Sequence, residues 1–308
     1  MYFNFTKHKN IYYIFSGILI AGSIISLVLF GLKFGIDFTG GSLLELSFEK
    51  NRPSNKEIEE KMAQLNLGEV VIQPTGEKGV IIRMKEVTEE IHQQILKNFE
   101  GAQQIRFELI GPAVGQELRQ KTETAIILTL FAIAIYIAIA FRKVSRPVPS
   151  WQYGIATLVA LSHDIIIPLG IFAYLGKFHN VEITIPIVAA LLTVLGFSVH
   201  DTIVIFDRIR ENLLNPYRFA GAFNKLTETK KGVDFGDIVD WSLNQTLGRS
   251  INTVLTVLFV VFSLFFFGGE TLRYFSLTLI VGTISGAYSS IFIASPLLVS
   301  WYRWKRKD

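Results

Sequence analysis

There is no cysteine anywhere in the 308 residues. Disulfides and thiolate metal sites are therefore excluded, and cysteine usage carries no message about the redox compartment. Histidine is scarce, with five in all, and the four charged residue types make up only 18% of the chain. What fills the sequence instead is apolar: half of it is hydrophobic and 13% aromatic, with a positive mean hydropathy. The apolar residues gather into six runs, at 11–32, 123–141, 151–175, 183–206, 247–267 and 274–299. At 1.5 Å of rise per residue, each is long enough, or nearly so, to cross a hydrocarbon layer of ~30 Å. The pattern predicts a polytopic α-helical membrane protein with six transmembrane helices.

Lys7 and Lys9 precede the first run, as they would in a signal peptide. The run is too long for one, and "SLVLFGLKFG" offers no small-residue cleavage site, so it reads as a retained span. The net charge of +4 says little, but its placement says more. The tail before residue 11, "RKVSRP", the stretch 207–246 and "WYRWKRKD" together carry fifteen lysines and arginines. The short loops on the opposite side carry two, Lys177 and Arg273. By the positive-inside rule both termini are expected in the cytosol, as an even number of spans requires. No folded basic module accompanies these clusters, so they read as topology signals and predict no nucleic-acid partner.

The one long polar segment between spans, residues 35–122, is then extracytoplasmic. "SLLELSF" alternates as a half-buried strand does, and "SNKEIEEKMAQLN" opens with Ser54 and Glu57 in capping-box spacing before a helical period. "EVVIQP" and "GVIIRM" are strands around the turn residues of "PTGEKG". "TEEIHQQILKNF" is a helix with Thr88 as N-cap, and "QQIRFELI" closes the set. The βαββαβ order predicts a small α+β, ferredoxin-like domain, followed by five spans over 123–308. No His or Cys cluster marks it as a place of chemistry. Two glycine-rich phrases bound it: "FGIDFTGG", with Gly35, Asp37, Gly40 and Gly41, and "GPAVGQEL", with Gly111, Pro112 and Gly115. The first leads into a strand and lacks the lysine and helix N-terminus of a phosphate cradle. Both phrases read as turns joining span to domain. The polar stretch of about 207–246 reads as a cytosolic loop.

Three spans carry groups that hydrocarbon rejects. His163 and Asp164 lie mid-span in the third, and His200 and Asp201 in the fourth. In the fifth, Gln245, Arg249, Asn252, Thr253 and Thr256 share a face by i, i+3, i+4 spacing. A central Asp or Arg costs ~2.5–3.5 kcal/mol on insertion scales, so such groups normally turn inward and pair. Asp201 and Arg249 both fall in the cytosolic half of the bilayer, where they could meet. A neighbouring arginine favours the carboxylate while burial opposes it, a balance suited to loading and releasing a proton. Bland alternatives stand beside this. Arg249 could snorkel to the headgroups, Asp201 could be polar glue, and Asp164 could be structural. Gly282 and Gly286, with Ser289 and Ser290, read as a close-packing face. An intramembrane aspartyl protease fits poorly, since Asp164 follows "LSH" and Asp201 follows "SVH" in place of that chemistry's usual contexts. Adjacent His-Asp positions point about 100° apart on a helix, so no metal site is expected.

One span, a domain and five spans, with "FGIDFTGG", "GPAVGQEL", "VALSHD", "GFSVHDTIVIFDRIREN", "SLNQTLGRS" and "GTISGAYSSIFIASPLL" in order, resemble the SecF half of the SecD/SecF family. That family belongs to the resistance-nodulation-division (RND) transporter superfamily. The resemblance covers nearly the full chain. It implies a non-enzymatic accessory subunit of the Sec protein translocase, without cofactor, in the bacterial cytoplasmic membrane. It further implies SecD as partner, the SecYEG channel and indirectly SecA nearby, YajC as a further associate, and membrane lipids around the spans. The cargo is a translocating preprotein, drawn outward at a late step by the proton-motive force. On it, Asp201 is the relay carboxylate, Arg249 the intramembrane arginine and Asp164 a further relay member, with His163, Ser198 and Thr202 as neighbours. His200 stands where the family more usually has asparagine and Gly248 where serine is expected, and the loop between the fourth and fifth spans looks longer. These departures leave the coupling ion, proton or sodium, open. The alternative function is one half of a proton-coupled RND-type exporter of small molecules or lipids.

Overall fold

The computed structural model describes residues 2–49, 52–65, 67–68, 70–99, 101–142, 147–215 and 234–305. Residues 216–233 of the polar stretch expected as a cytosolic loop, the middle of "RKVSRP" and the end of "WYRWKRKD" lie outside the described residues; the flanks of that stretch, 207–214 and 235–246, are helical and not loop. In chain order the elements are a 3-10 turn (Thr6–His8), α1 (Lys9–Phe30), a short α2 (Ile36–Thr39), β1 (Gly41–Phe48) and α3 (Asn55–Ala63). Then come β2 (Val71–Thr75), β3 (Gly79–Met84), α4 (Glu89–Asn98), β4 (Ala102–Ile110), α5 (Pro112–Ala140), α6 (Ser150–His179) and α7 (Ile185–Leu214). The chain continues with α8 (Phe235–Phe267), α9 (Gly269–Ser289), a π-helical turn (Ser290–Ala294) and α10 (Ser295–Lys305).

Among the described residues six helical segments are long and apolar enough to cross a membrane: Thr6–Phe30, Pro112–Ala140, Ser150–His179, Ile185–Leu214, Phe235–Phe267 and Leu272–Lys305. The chain is a polytopic helical membrane protein with a small sheet domain between its first two spans. It divides into two compact units, residues 1–31, 126–174 and 186–308 in one, and 32–125 with 175–185 in the other.

In the first unit the third, fourth and sixth spans are half or more buried among other helices, while the first and second turn nearly all of their apolar surface outward. Small residues set the packing. At Gly170 on α6, a Cβ would lie 2.4 Å from the Ser23 Cβ of α1, and Ser26 Oγ donates to the Gly170 carbonyl at 2.8 Å. Tyr153, Phe141 and Phe206 are fully enclosed, stacked or edge-on to one another. The segment before α1 and the first turns of α1 are stitched to distant helices. Thr6 donates its backbone N–H and its hydroxyl to the two carboxylate oxygens of Asp240, at 2.9 and 2.7 Å. Phe3 and the Asn244 side chain exchange two hydrogen bonds, at 2.9 and 2.8 Å. Lys9 donates to Ser300, and the Tyr13 hydroxyl bonds the same serine.

The second unit holds a four-stranded antiparallel sheet in the order β2-β3-β1-β4. With α3 and α4 in the crossovers this is the expected βαββαβ arrangement. Leu44, Leu46, Ile58, Met62, Val80, Ile82 and Ile95 form its core. The capping box at Ser54 and Glu57 is formed, each group receiving the other's backbone N–H. Thr88 stands at the N-cap of α4 without a side-chain cap bond.

The two glycine-rich phrases correct the expectation of simple turns. Gly35 is the N-cap of α2, and Asp37 lies within that helix. Gly40 and Gly41 do turn the chain, at φ +74° and +133°, conformations that strongly favour glycine. Pro112 and Gly115, however, are not in a turn. They form the first turn of α5, which runs unbroken from Pro112 into the second span. Proline suits the first helical position, where its missing N–H would have no partner anyway. Gly115 is glycine because a Cβ there would lie 2.7 Å from the Gly40 nitrogen.

Candidate functional site

The third span brings His163 and Asp164 to the centre of the first unit. Both are fully buried. Pro168, inside α6, has no N–H to give, so the Asp164 carbonyl four residues earlier loses its helical donor. The side chain is better supplied. Ser198 Oγ of α7 donates to Asp164 Oδ2 at 2.5 Å, and Ser289 Oγ of α9 donates to the same oxygen at 2.8 Å. Ser285 Oγ donates to Oδ1 at 3.2 Å, and His163 Nδ1 lies 2.9 Å from Oδ1. The other ring nitrogen of His163 lies 3.4 Å from Ser16 Oγ of α1. Four helices thus meet on one His-Asp step, and a buried carboxylate so surrounded is satisfied, as such groups must be.

The fourth span presents Ser198, Asp201, Thr202 and Ile205 along one buried face, the i, i+3, i+4, i+7 rows of a helix. Thr202 Oγ1 and Ser290 Oγ lie 2.8 Å apart, and Ser290 opens the π-helical turn. Such turns recur at functional sites. Helix α9 approaches α7 closely because it offers glycines. A Cβ at Gly282 would lie 2.3 Å from Val194 Cγ2, and one at Gly286 would lie 2.9 Å from Ser198 Cβ. The packing role expected of Gly282 and Gly286 therefore holds. Ser289 and Ser290 do more than pack, since they hydrogen-bond Asp164 and Thr202.

The fifth span is placed differently. Gln245, Arg249, Asn252 and Thr256 share a face as expected, but that face is exposed and only Thr253 is half-buried. Gln245 Oε1 accepts from Arg208 Nε at 2.6 Å and from Asn212 Nδ2 at 3.1 Å. Thr253 turns its hydroxyl back to the Arg249 carbonyl. Among the described residues no ion pair within 4.0 Å joins Asp201 to Arg249. His200 itself is exposed, being one position away from Asp201 and so about 100° round the helix. The motif residues Gly35, Asp37, Gly40, Gly41, Gly111, Pro112 and Gly115 all lie in the second unit, outside this cluster.

Ser285 and Ser16 are not among the residues that the sequence marks as site candidates. The signal for Ser285 was present, because Gly282, Ser285, Gly286 and Ser289 form an i, i+3, i+4, i+7 stripe in "GTISGAYSS". Ser16, a lone serine in an apolar run, carried none.

Residues 91–304 match the family model for the protein export membrane protein SecD/SecF, C-terminal, and residues 25–51 match the SecD/SecF GG motif. A protein translocase subunit SecF from Thermobaculum terrenum is 44% identical over 96% of this chain and 92% of its own length. The protein of that name from Vibrio alginolyticus is 38% identical over 95% of this chain and 88% of its own. The crystal structure of SecDF, a translocon-associated membrane protein from Thermus thermophilus, superposes with a TM-score of 0.80 at 32% identity. That match covers 98% of this chain but only 39% of the longer SecDF chain. The expectation drawn from the motifs is met: the chain belongs to the SecD/SecF family of protein-export membrane proteins.

Proposed function

We propose that this chain works with a SecD partner as an accessory subunit of the Sec translocase, in a bacterial cytoplasmic membrane with both termini in the cytosol. Ion flow down the proton-motive force drives late steps of preprotein translocation, and residues 35–122 act outside the cytoplasm. Asp201 is the ion-carrying carboxylate, Arg249 its counter-charge and Asp164 a further relay member. The observation that supports this most is the buried face of α7. Asp201 lies one turn from Ser198, whose hydroxyl is held by Asp164 at 2.5 Å, in a region where six polar side chains of four helices interlock. An ion arriving at or leaving Asp201 changes the charge beside a fully hydrogen-bonded network, which then has a second arrangement to adopt. The exposed stripe Gln245–Arg249–Asn252–Thr256 is costly to leave against lipid. It suits a partner's helices, and closure of Arg249 onto Asp201 then belongs to the assembled complex.

The test is Asp201→Asn, reconstituted with SecD and the channel in vesicles, with export driven by proton and sodium gradients separately. The variant should assemble normally and lose the gradient-stimulated part of export. Normal assembly with an undiminished response to either gradient would end the relay reading.

A further inference from the structure

In the second unit the family's glycine motif performs a task that its spacing did not disclose. The segment 33–41 is laid against residues 180–185. Gly35 N–H donates to the Ile183 carbonyl at 2.8 Å, and Ile183 N–H donates to the Lys33 carbonyl at 2.7 Å, making a short parallel bridge between Phe34 and Ile183. A Cβ at Gly35 would press on the Ile183 oxygen at 3.2 Å and on Thr184, so glycine permits this approach. Glu182 fastens the same stretch, with Arg83 Nε of β3 at 3.1 Å and Lys33 Nζ at 4.0 Å. Asp37 completes the arrangement. Its Oδ2 accepts the backbone N–H of Ile185 at 2.9 Å, from 148 residues away. Ile185 is the first residue of α7, the helix that carries Ser198 and Asp201. An unpaired N–H and the positive end of the helix dipole both favour a carboxylate there. The same segment then turns at Gly40 against Pro112 and at Gly41 against the Met84 carbonyl, so it also touches the starts or ends of α5 and β3.

We propose that Asp37 is a positioning residue for ion-coupled export. By holding the first turn of α7 it fixes that helix to the sheet domain, so that axial movement of α7 reaches the domain through the 33–41 segment. This rests on the relay function proposed above. Sixteen residues of helix, roughly 24 Å at 1.5 Å each, separate Ile185 from Asp201. A helix over that length carries displacement along its axis, provided its end is held. A local cap would serve the helix equally well if folding were the only need. A carboxylate drawn from the domain's own entry segment ties the helix end to the domain.

The test uses the full complex in vesicles. Asp37→Ala should leave expression, assembly and motor-driven export without a gradient unchanged, and should reduce gradient-stimulated export at least fivefold. Amide hydrogen exchange at residues 185–188 should rise about fivefold, in keeping with the loss of a helix-terminal cap. Asp37→Asn keeps an oxygen acceptor and should restore most of both. The chain has no cysteine, so Phe34→Cys with Ile183→Cys gives a clean lock across a bridge where strands lie ~4.8 Å apart. In the Asp37→Ala background, oxidation of that pair should restore gradient-stimulated export, and reduction should abolish it again. Undiminished gradient response in Asp37→Ala, or no recovery on oxidation, would overturn the proposal. Should the wild type itself show no gradient response, the relay reading falls, and the exchange measurement alone then decides whether Asp37 caps α7.

Discussion

Replacing Gly282 by alanine tests whether α9 is held against α7 by contact or only lies near it. The added methyl would sit 2.3, 2.7 and 3.0 Å from Val194 Cγ2, Cγ1 and Cβ. Carbon atoms rest at about 3.5–4.0 Å, so the helices must separate locally by about 1 Å or Val194 must leave its rotamer. Overpacking of this kind costs about 1–3 kcal/mol. The separation also reaches one turn further, where Gly286 faces Ser198 and Ser198 donates to Asp164. A hydrogen bond contributes about 0.5–1.5 kcal/mol net, part of which is lost as it lengthens. Val194→Ala alone removes two methyl groups from a buried site and costs about 1–2 kcal/mol. In the double variant the two closest contacts, at 2.3 and 2.7 Å, are gone, and only the Cβ of position 194 stays close, at 3.0 Å. The two costs should then fail to add by at least about 1 kcal/mol, the range of coupling between touching residues. Heating the detergent-solubilised complex and measuring the intact fraction by size exclusion gives the four midpoints. Gly282→Ala should fall by about 2–8 °C, and the double variant should recover much of that loss. Strict additivity of the two changes, or an unshifted Gly282→Ala midpoint, would refute the contact.

Other perturbations address single links. Ser198→Ala and Ser289→Ala each remove one donor to Asp164 Oδ2, so each should destabilise by about 0.5–1.5 kcal/mol; the pair together should depart from additivity, checked by the same midpoints. Gly40→Ala places a Cβ 2.6 Å from the Pro112 Cα at φ +74°, and should destabilise the second unit by at least about 1 kcal/mol, seen as faster hydrogen exchange across 33–48. Ser54→Ala dissolves the capping box and should cost about 0.5–2 kcal/mol, read as faster exchange in α3. Burial pushes the Glu182 carboxyl above its ordinary range despite Arg83 and Lys33 beside it, with Asp37 adding to the rise. The folded state therefore holds this proton where the unfolded chain has released it, and its contribution to stability is lost as pH rises through that window. Glu182→Gln should flatten this part of the pH profile of hydrogen exchange at 180–185, whereas an unchanged slope would assign the titration to another group.

The spans and the sheet domain were legible because each obeys one strong local rule. Apolar runs such as 183–206 have no soluble explanation, and "SLLELSF" and "GVIIRM" alternate as strands must. Helix ends were less legible where polarity hid them. The first turns of α5 are polar and contain Gly115, which reads as a breaker until Gly40 is seen against it. The start of α8 at Phe235 is likewise polar, so only its capping box at Asp234 and Asp237 could have extended the fifth span towards it. His163, Asp164 and Asp201 stood out by the cost of burying them. Their partners did not, because a serine such as Ser16 or Ser285 is cheap anywhere in a span and gains meaning only from what faces it. The docking of 180–185 onto 33–41 joins residues about 150 positions apart, a relation no local pattern encodes.

The stitching of the first residues to α8 and α10 has a consequence for how the chain is made. Thr6 waits for Asp240 and Lys9 for Ser300, separations of 234 and 291 residues. At ~5–20 residues per second of synthesis, Lys9 leaves the ribosome roughly 15–60 s before its partner exists. Thr6 and Phe3 gain Asp240 and Asn244 earlier in that interval, whereas the Lys9–Ser300 contact must wait for its end. The seam between the first span and the last can therefore close only after Ser300 has been made. A truncated product that stops before Ser300 would leave that seam open, and so would be recognisable to quality control as unfinished.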